Sequence, residues 1–448
     1  MKSLLLPVVL LTSWSVTALA QSIAGEPERL YVLGDIVDGE TISSIREGSI
    51  DTAGNGASQP SATGTSLIVA STGSVNTIIA RRGDAAPGGG LYELLGDHTE
   101  RDGDNVLFLA GNIDADITNR AGERALLLRN LNQPMAEIIV RTNLTTVPGR
   151  AVLFTGLNST EGYGFSAGRI AFTGLFTDGS AGEGVYLWEN GTLSTLVDTD
   201  DTFQGLPFLN FDDAMPDRNG PGIVFRSTLD DGGSDVRAVF VYEGGNLVQL
   251  SAEGDPYPGT ASTITDFGTP DIDAGRVALL INGSGGESGV FIIDAQGNPT
   301  LVADLNTPLP DTAANTGSPT FISDRVGITG DTVAFNAGRA APEPEFWLWR
   351  DGIIEQAVSA GDVVDGLTIT STGTGFERHS VSSAGVVLEV RFANGSEGLY
   401  RVPLVQAEPT IGQPIPLSGS GLLAVLLLLM GGRALRLGPG ESSIREGS

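Results

Sequence analysis

The sequence contains no cysteine and only two histidines, His98 and His379. A chain without cysteine has no disulfide, no lipidated cysteine and no catalytic thiolate. Two histidines cannot build a histidine metal cluster, and both lie in polar stretches that predict solvated loops. The protein must therefore be stabilised by its own core. It also has few of the side chains that usually serve in nucleophilic catalysis.

Positive charge is also scarce. Lys and Arg number 25 against 54 Asp and Glu, which gives a formal net charge of −29. Nucleic acids and anionic membrane surfaces are bound through clustered Lys and Arg, so we expect neither as a partner of the folded part. Because 40% of the residues are hydrophobic, the acidity does not indicate a disordered polyelectrolyte. The excess of acidic residues is best interpreted as solvated loops.

The first 20 residues have the layout of a secretory signal. Lys2 precedes a mostly apolar stretch, and Ala18 and Ala20 form a small-x-small cleavage site. We therefore expect residues 1–20 to be a signal peptide and the protein to be exported.

A second apolar run lies near the C-terminus, at residues 415–437, between a Pro-rich linker (405–414) and a tail (438–448). Its length and the arginines after the leucine run predict a transmembrane anchor helix with a cytoplasmic end, and a buried core helix is the alternative. The layout resembles the PEP-CTERM and IPTLS-CTERM sorting segments, with Ile-Pro-Leu-Ser at 415–418 in place of Ile-Pro-Thr-Leu-Ser. The resemblance implies anchoring in a Gram-negative cell envelope.

A turn signature recurs along the chain. Residues 34–44 and 361–371 share eight of their eleven residues, and related Gly-Asp turns occur at 83–88 and 254–259. A repeat of this kind predicts a stacked repeat architecture. One Asp recurs in each turn, and we expect the side chains of these residues to cap the amides of their own turns rather than to catalyse: Asp35, Asp84, Asp255 and Asp362.

Short apolar strands recur between the turns, the later ones beginning at Ile170, Ile223, Val277, Val333 and Val386. A second strand rich in aromatic residues follows most of them, and Asn-Gly or Asp-Gly hairpins lead to a third strand. Units of three or four antiparallel strands must stack to bury their faces. We therefore predict an all-β fold over residues 21–404: a β-propeller of about seven blades, its last blade completed by both chain ends. An open β-solenoid is the alternative.

The repeat is similar to the tandem Asn-x-x-Gly-x-x-Ala-Phe repeats of bacterial exported proteins with a variable C-terminal anchor. The matching pieces include the Ala-Phe strands at 171–172 and 334–335, the Gly-Val-Tyr-Leu-Trp strand at 184–188 and the Gly-Asp turns. The resemblance covers residues 29–404. It implies a fold and an exported location but no activity.

Paired carboxylates are the main candidates for a functional site. Two acidic loops are calcium candidates, although neither has the spacing of a calcium-binding helix–loop–helix, and solvated loops are the simpler interpretation. The calcium candidates are Asp198, Asp200, Asp201, Asp230, Asp231 and Asp235. No other cofactor is expected, and no catalytic residue is assigned.

Together these features predict an exported, envelope-anchored β-propeller that acts as a non-catalytic surface binding or matrix-associated protein. Its expected partners are an extracellular polysaccharide or a protein, and the membrane through the C-terminal segment. The alternative is an exported polysaccharide hydrolase or lyase that uses Asp and Glu at the propeller channel, where two carboxylates about 5–9 Å apart would be required. A passive structural protein of the envelope is a third possibility.

Overall fold

The computed structural model describes residues 22–405, except 47, 63, 114–121, 159–161, 312–315, 340–344 and 373–379. These residues form 36 β-strands and no α-helix. A search of the same residues for a helix long and apolar enough to span a bilayer found none. The predicted signal peptide and C-terminal anchor helix lie outside the described residues.

The strands form seven antiparallel sheets, numbered in chain order. Sheet 1 contains β2 (Ile36–Val37), β3 (Glu40–Ser44), β4 (Gly48–Ile50), β5 (Gly56–Ser58), β6 (Ser61–Ala62), β7 (Thr65–Thr72) and β8 (Val75–Arg81). Sheet 2 contains β9 (Leu94–Asp102), β10 (Asn105–Gly111), β11 (Arg124–Asn130) and β12 (Glu137–Arg141).

Sheets 3, 4 and 5 repeat one pattern, in which the first strand is interrupted or bulged and three further strands follow. Sheet 3 contains β13 (Phe154–Leu157), β14 (Tyr163–Ser166), β15 (Arg169–Asp178), β16 (Ser180–Glu189) and β17 (Thr192–Asp198). Sheet 4 contains β18 (Thr202–Phe203), β19 (Leu206–Pro216), β20 (Ile223–Asp230), β21 (Asp235–Glu243) and β22 (Asn246–Ala252). Sheet 5 contains β23 (Ile264–Phe267), β24 (Asp271–Asp273), β25 (Arg276–Gly283), β26 (Ser288–Ile293) and β27 (Pro299–Asp304).

The last two sheets complete the set, and sheet 7 combines both ends of the described chain. Sheet 6 contains β28 (Phe321–Thr329), β29 (Thr332–Gly338), β30 (Glu345–Arg350) and β31 (Ile353–Val358). Sheet 7 contains β32 (Val363–Val364), β33 (Leu367–Thr372), β34 (Val381–Ser382), β35 (Gly385–Phe392), β36 (Glu397–Pro403) and the N-terminal strand β1 (Glu28–Val32).

Turn residues explain the hairpins. Asn190 and Gly191 join β16 to β17 with φ angles of 51° and 75°, and Asp351 and Gly352 join β30 to β31 with 51° and 81°. Two consecutive positive φ angles match the right-handed twist of a tight hairpin, and Asn-Gly and Asp-Gly tolerate them best. The hairpins predicted from these dipeptides are therefore found.

One strand of each sheet contacts its counterpart in the next sheet, and these contacts close into a ring. The order is β4, β9, β14, β19, β24, β28, β34 and back to β4. We call these the axial strands, because they surround the centre of the ring. Seven sheets arranged in this way form a β-propeller arrangement, as the sequence predicts.

A hydrophobic cluster lies between each pair of neighbouring sheets, including sheets 7 and 1. Tyr186 and Trp347 are fully buried in two of them. Burial of one large apolar side chain stabilises a fold by roughly 1.5–3 kcal/mol, so these clusters hold the sheets together. The aromatic strands contribute to the core between sheets, as their alternating pattern predicts.

Both ends of the described part of the chain meet in sheet 7. Strand β1 pairs antiparallel with β36, with Glu28 opposite Arg401 and Val32 opposite Gly398. Tyr31 of β1 is fully buried in the cluster between sheets 7 and 1. The prediction that the two ends complete one repeat unit is therefore confirmed, and β1 covers the edge that β36 would otherwise expose.

Candidate functional site

The recurring turn aspartates bond to their own turns. A carboxylate oxygen of Asp255 accepts a hydrogen bond from the backbone N–H of Ala252 at 2.7 Å, and Asp35, Asp84 and Asp362 make the same contact with the residue three positions earlier. Asp201 does so too, and the hydroxyls of Thr145 and Thr307 replace the carboxylate in two other units. The turn aspartates are therefore caps, as predicted.

A second set of carboxylates joins neighbouring sheets near the axis. Asp217, which is fully buried after β19, accepts hydrogen bonds from Ala274 N–H at 2.8 Å and Gly275 N–H at 2.7 Å in sheet 5. Asp271 likewise accepts from Ile328 N–H of sheet 6 at 2.8 Å, and Glu100 accepts from Phe165 N–H of sheet 3 at 2.6 Å. These inter-sheet carboxylates satisfy buried backbone donors. The inter-sheet carboxylates therefore have a structural role.

Arg218 fills the centre of the ring. Its guanidinium donates to Asp271 Oδ2 and to the Ile328 carbonyl, both at 2.8 Å. Burial acts to lower the pKa of Arg218, but the contact with Asp271 outweighs it and the pKa is raised. The cavity beside Arg218 has a volume of about 30 Å³ and is lined by residues of five sheets, including Ser49, Glu100 and Ser382. This space accommodates a water molecule or two rather than a substrate.

His98 is not in a solvated loop, contrary to the sequence prediction. It lies in the axial strand β9, is 7% exposed, and its Nε2 lies 3.1 Å from Glu100 Oε1. The ring packs edge-on against Tyr163, whose hydroxyl donates to the His98 carbonyl at 2.7 Å. The error arose because an axial strand faces a polar centre and so lacks apolar alternation. His379 lies outside the described residues.

The first calcium candidate loop is paired with an arginine from another turn. The Arg150 guanidinium lies 2.6 Å from Asp198 Oδ2 and 2.7 Å from Asp200 Oδ2, and it also lies over the ring of Phe176. The hydrogen bond to Asp198 raises the pKa of Arg150. Asp201 caps the turn instead of facing this arginine. The loop therefore brings Asp198 and Asp200 together around a guanidinium.

The second calcium candidate loop joins β20 to β21. Asp230 accepts from Gly232 N–H, Asp231 accepts from Gly233 and Ser234 N–H groups, and Asp235 pairs with Asp230 across the hairpin. Within the described residues, no group of three or more His, Asp or Glu side chains is arranged to hold a metal ion. Calcium binding at either loop stays a prediction.

A concave site of about 640 Å³ lies between sheets 4 and 5, and we call it the sheet 4–5 cleft. It opens on the face that carries the Gly-Asp turns, because Glu253 of its lining immediately precedes Gly254. Six charged residues line it: Asp212, Asp235, Glu253, Asp266, Arg226 and Arg237. Asn210, Ser227, Thr228 and Thr265 add hydroxyl and amide groups. The cleft is thus polar and rich in hydrogen-bonding groups.

Ion pairs hold the charged side chains of this cleft in place. Arg237 of β21 donates to Asp266 of β23 at 2.7 Å and so connects the two sheets at the surface. Arg226 forms an ion pair with Asp213 and donates to the Phe267 carbonyl at 2.8 Å. Asp213 has a φ of 59° within a bulge of β19. Bulges re-aim neighbouring side chains and are frequent beside binding sites.

Glu183 lies at the edge of the same region. Burial raises the pKa of its carboxyl group to about 7, the backbone N–H of Phe211 opposes this effect, and the negative charge of Asp212 adds to it. A carboxyl group with such a pKa exchanges a proton near neutral pH. Glu183 is therefore a candidate for acid–base chemistry next to the cleft.

Sequence reasoning did not find this site. Asp212 was one of many paired carboxylates, and neither Arg226 nor Arg237 belongs to a motif. The residues come from four strands and one turn, spread over residues 210–267. One feature of the sequence could have indicated the cleft: the neighbouring strands β20 and β21 each contain an arginine, although the chain is mostly acidic.

Comparison with solved structures finds similar chains, all of low sequence identity. This protein is similar to a chain from a structural and mechanistic analysis of two prolyl endopeptidases (12% identity, TM-score 0.45, 82% of this chain and 51% of that chain). It is also similar to a Mycobacterium tuberculosis puromycin-hydrolyzing peptidase (12%, 0.46, 87% and 58%) and to the β-propeller domain of the Trilobed protease from Pyrococcus furiosus (11%, 0.35, 71% and 100%). The chain spans little more than half the length of the first two kinds of peptidase.

These similarities say nothing about activity, and the fold assignment rests on the sheets and their contacts. No curated protein matches the sequence. A family model matches residues 48–388, which is most of the chain. The chain belongs to this family, a family of unknown function designated DUF7453.

Proposed function

We propose that this protein is exported, anchored in a bacterial cell envelope, and binds an extracellular polysaccharide without catalysis. In this proposal each of the seven sheets is one blade of a closed propeller. The signal-like residues 1–20 and the sorting-like residues 415–437 support export and anchoring. The sheet 4–5 cleft supports binding, because it offers a large concave surface on the ring.

The side chains that line the cleft indicate which class of ligand it binds. Arg237 is paired with Asp266 and Arg226 with Asp213, so the charged groups partly neutralise one another and remain hydrogen-bonding partners. Hydroxyl and amide side chains lie between them. Alternating donors and acceptors of this kind suit the hydroxyl groups of a sugar. Acidic residues outnumber arginines in the lining, so a neutral or amino-bearing polysaccharide fits better than an anionic one.

Binding is tested with the purified protein on immobilised neutral, amino and anionic polysaccharides. We expect retention on the first two classes and a loss of roughly tenfold in affinity for Arg237→Gln and Glu253→Gln. Arg276→Gln is the matched control, because Arg276 forms an exposed pair with Asp331 at the other end of sheet 5. Equal binding by all variants, or retention only on anionic polymers, would refute this site.

Export and anchoring are tested separately by fractionation of Gram-negative cells that express the full chain. We expect the full chain in the envelope fraction and a variant that lacks residues 415–437 in the medium or periplasm. Cytoplasmic accumulation of both would contradict the proposal.

A polysaccharide hydrolase or lyase is the second candidate, favoured by Glu183. With a pKa of about 7 this residue could donate a proton at neutral pH, while Asp212 could act as the second carboxylate. Reducing-end release from a polysaccharide panel, abolished by Glu183→Gln and by Asp212→Asn, would establish this activity. Binding without release would leave the non-catalytic proposal in place.

A further inference from the structure

A second cleft, independent of the polysaccharide site, lies beside the outer strand of sheet 5. Its volume is about 600 Å³, and it is lined by the turns at residues 257–260 and 285–288 and by residues of 299–306. We call it the β27 cleft, because Pro299, Leu301 and Asp304 of β27 form one wall. No Lys or Arg belongs to its lining.

One wall of the β27 cleft is a free sheet edge. Strand β27 is the last strand of sheet 5, paired only with β26 among the described strands. Residues Pro299, Thr300 and Leu301 are exposed, and Leu301 is 46% exposed. A free edge presents backbone donors and acceptors that an extended peptide can pair with. The exposed leucine offers an apolar surface beside that edge.

Two carboxylates face the same space. Glu287 accepts hydrogen bonds from Ser262 Oγ at 2.6 Å and Gly285 N–H at 2.8 Å, and the bond from Ser262 lowers its pKa. Asp304 accepts from Thr307 Oγ1 at 2.7 Å and Asn306 N–H at 2.9 Å. Both side chains are therefore held in place. With no basic residue in the lining, they make the cleft attractive to a cation.

A buried hydroxyl provides a separate indication of a ligand. Tyr257 is 4% exposed and lines the cleft, and within the described part of the chain its hydroxyl has no hydrogen-bond partner. The ring lies over Gly289, where an added Cβ would meet the hydroxyl at 2.9 Å. A buried polar atom without a partner is costly, and a ligand that supplies one recovers that cost.

We propose that the β27 cleft binds an extended peptide segment of a partner protein that carries an arginine or lysine. The peptide backbone adds to the edge of β27, and the aliphatic part of the basic side chain packs on Leu301. The cation lies between Glu287 and Asp304, and a polar group of the peptide pairs with the Tyr257 hydroxyl. Residues of the sheet 4–5 cleft take no part in this interaction.

The test uses the full chain and a matched pair of acetylated peptide amides, Gly-Leu-Arg-Leu-Thr-Gly and the same peptide with citrulline instead of arginine. Citrulline keeps the length and shape of arginine but not its charge. We expect the arginine peptide to bind at least tenfold more tightly in calorimetric titrations, and its affinity to fall as salt increases. Equal affinity of the two peptides, or no heat with either, would overturn the proposal.

Three variants locate the interaction. Glu287→Gln with Asp304→Asn should remove the preference for arginine, because both negative charges are lost. The two amides keep an acceptor for the local hydrogen bonds, so the cleft should keep its shape. Tyr257→Phe should weaken peptide binding several-fold while the unfolding midpoint of the free protein stays the same or rises. Asp331→Asn is the control, because Asp331 is an exposed carboxylate in the turn between β28 and β29 and does not line the β27 cleft. Unchanged binding by Tyr257→Phe, or a loss with Asp331→Asn as large as that of the double variant, would refute the assignment.

Discussion

The role of each acidic side chain in this protein depends on its surroundings. Asp217 and Asp271 are fully buried and accept backbone N–H groups of the next sheet. Asp198 and Asp200 pair with Arg150. Glu183 is partly buried, and no arginine contributes to the shift of its pKa. The same residue type is therefore a connector, a counterion or a titrating group, depending on the contacts that surround it.

Glu183 gives the fold a pH dependence of predictable sign. Its pKa is about 7 in the folded protein and about 4.5 when unfolded. Between these values the folded state binds more protons, so the contribution of this residue to stability is present below pH ~4.5 and is lost as the pH rises through ~7. Glu183→Gln should raise the unfolding midpoint at pH 8 relative to wild type and leave it similar at pH 4.5. The measurement is thermal unfolding of both proteins from pH 4.5 to 8.

The exposed Glu189 at the end of the same strand provides the control for this prediction. Glu189→Gln should follow the wild-type profile. A Glu183→Gln profile that runs parallel to wild type over the whole range would show that Glu183 does not titrate there.

Arg150 should compete with calcium at the turn that contains Asp198 and Asp200. In wild type the guanidinium lies between these carboxylates, so we expect calcium to change the unfolding midpoint little through this loop. In Arg150→Gln the carboxylates lose their counterion. A site with a Kd near ~1 mM would then contribute about 1.4 kcal/mol at ~10 mM calcium. A calcium-dependent rise in wild type that equals or exceeds the rise in the variant would contradict this.

At the scale of the element, the Gly-Asp turn is the part of each repeat unit with the clearest sequence signature. Gly254 has a φ of 88° and Asp255 caps the turn, and the equivalent Gly34 and Gly361 have 91° and 99°. A positive φ explains the recurring Gly, since an L-residue pays a steric penalty there. The signature is thus a backbone requirement and not a ligand motif.

Gly254→Ala isolates that requirement. No atom lies within 4 Å of the position of an added Cβ, so the cost is conformational, about 1–2 kcal/mol in the free energy of unfolding. Gly233→Ala, in an exposed turn without a positive φ, should be neutral or slightly stabilising. Urea unfolding of the two variants gives the comparison, and equal costs would contradict the backbone explanation.

Asp217 is the element-scale test of the inter-sheet carboxylates. Asp217→Ala leaves the N–H groups of Asn219, Ala274 and Gly275 without their acceptor, which should lower the free energy of unfolding by about 3 kcal/mol or more. Asp217→Asn, which keeps an acceptor oxygen, should cost less. Asp231 also accepts two backbone N–H groups but in water, so Asp231→Ala should change the unfolding free energy little. Similar losses in the two alanine variants would show that the axial bonds add no stability.

At the scale of the molecule, ring closure couples the ends of the described chain. The N-terminal strand β1 contributes Leu30 and Tyr31 to the same cluster as Val387 and Leu399. Residues far apart in sequence thus share one core, and closure removes an exposed sheet edge. Loss of that strand should weaken the whole ring rather than one sheet.

Tyr31→Ala tests this coupling. Removing a fully buried aromatic ring should lower the free energy of unfolding by about 3–5 kcal/mol, in a single transition. Ile36, which is 72% exposed only five residues later, provides the control, and Ile36→Ala should have little effect. The measurement is chemical unfolding followed by fluorescence and circular dichroism. Separate transitions for the two signals would show that the ring does not unfold as a unit.

Local patterns predicted much of this architecture because they depend on local physics. The Gly-Asp turns, the Asn190-Gly191 hairpin and the buried aromatic strands all follow from φ preferences and alternation. His98 was misplaced because its strand lies beside a polar axis, where alternation gives no signal. The sheet 4–5 cleft was missed because Arg226 and Arg237 acquire meaning only opposite Phe267 and Asp266.

The amino-acid sequence by itself determined the repeat, the all-β class and the completion of one unit by both ends, since each is set by neighbouring residues and strand-length spacing. It also predicts the export and anchor segments, from the order of their charged, apolar and small residues. Only the tertiary structure decided which carboxylates bond to backbone, which face Arg150 and which line a cleft. The physical reason is that burial and partner geometry arise between sheets, from residues that are far apart along the chain, as for Asp217 and Gly275.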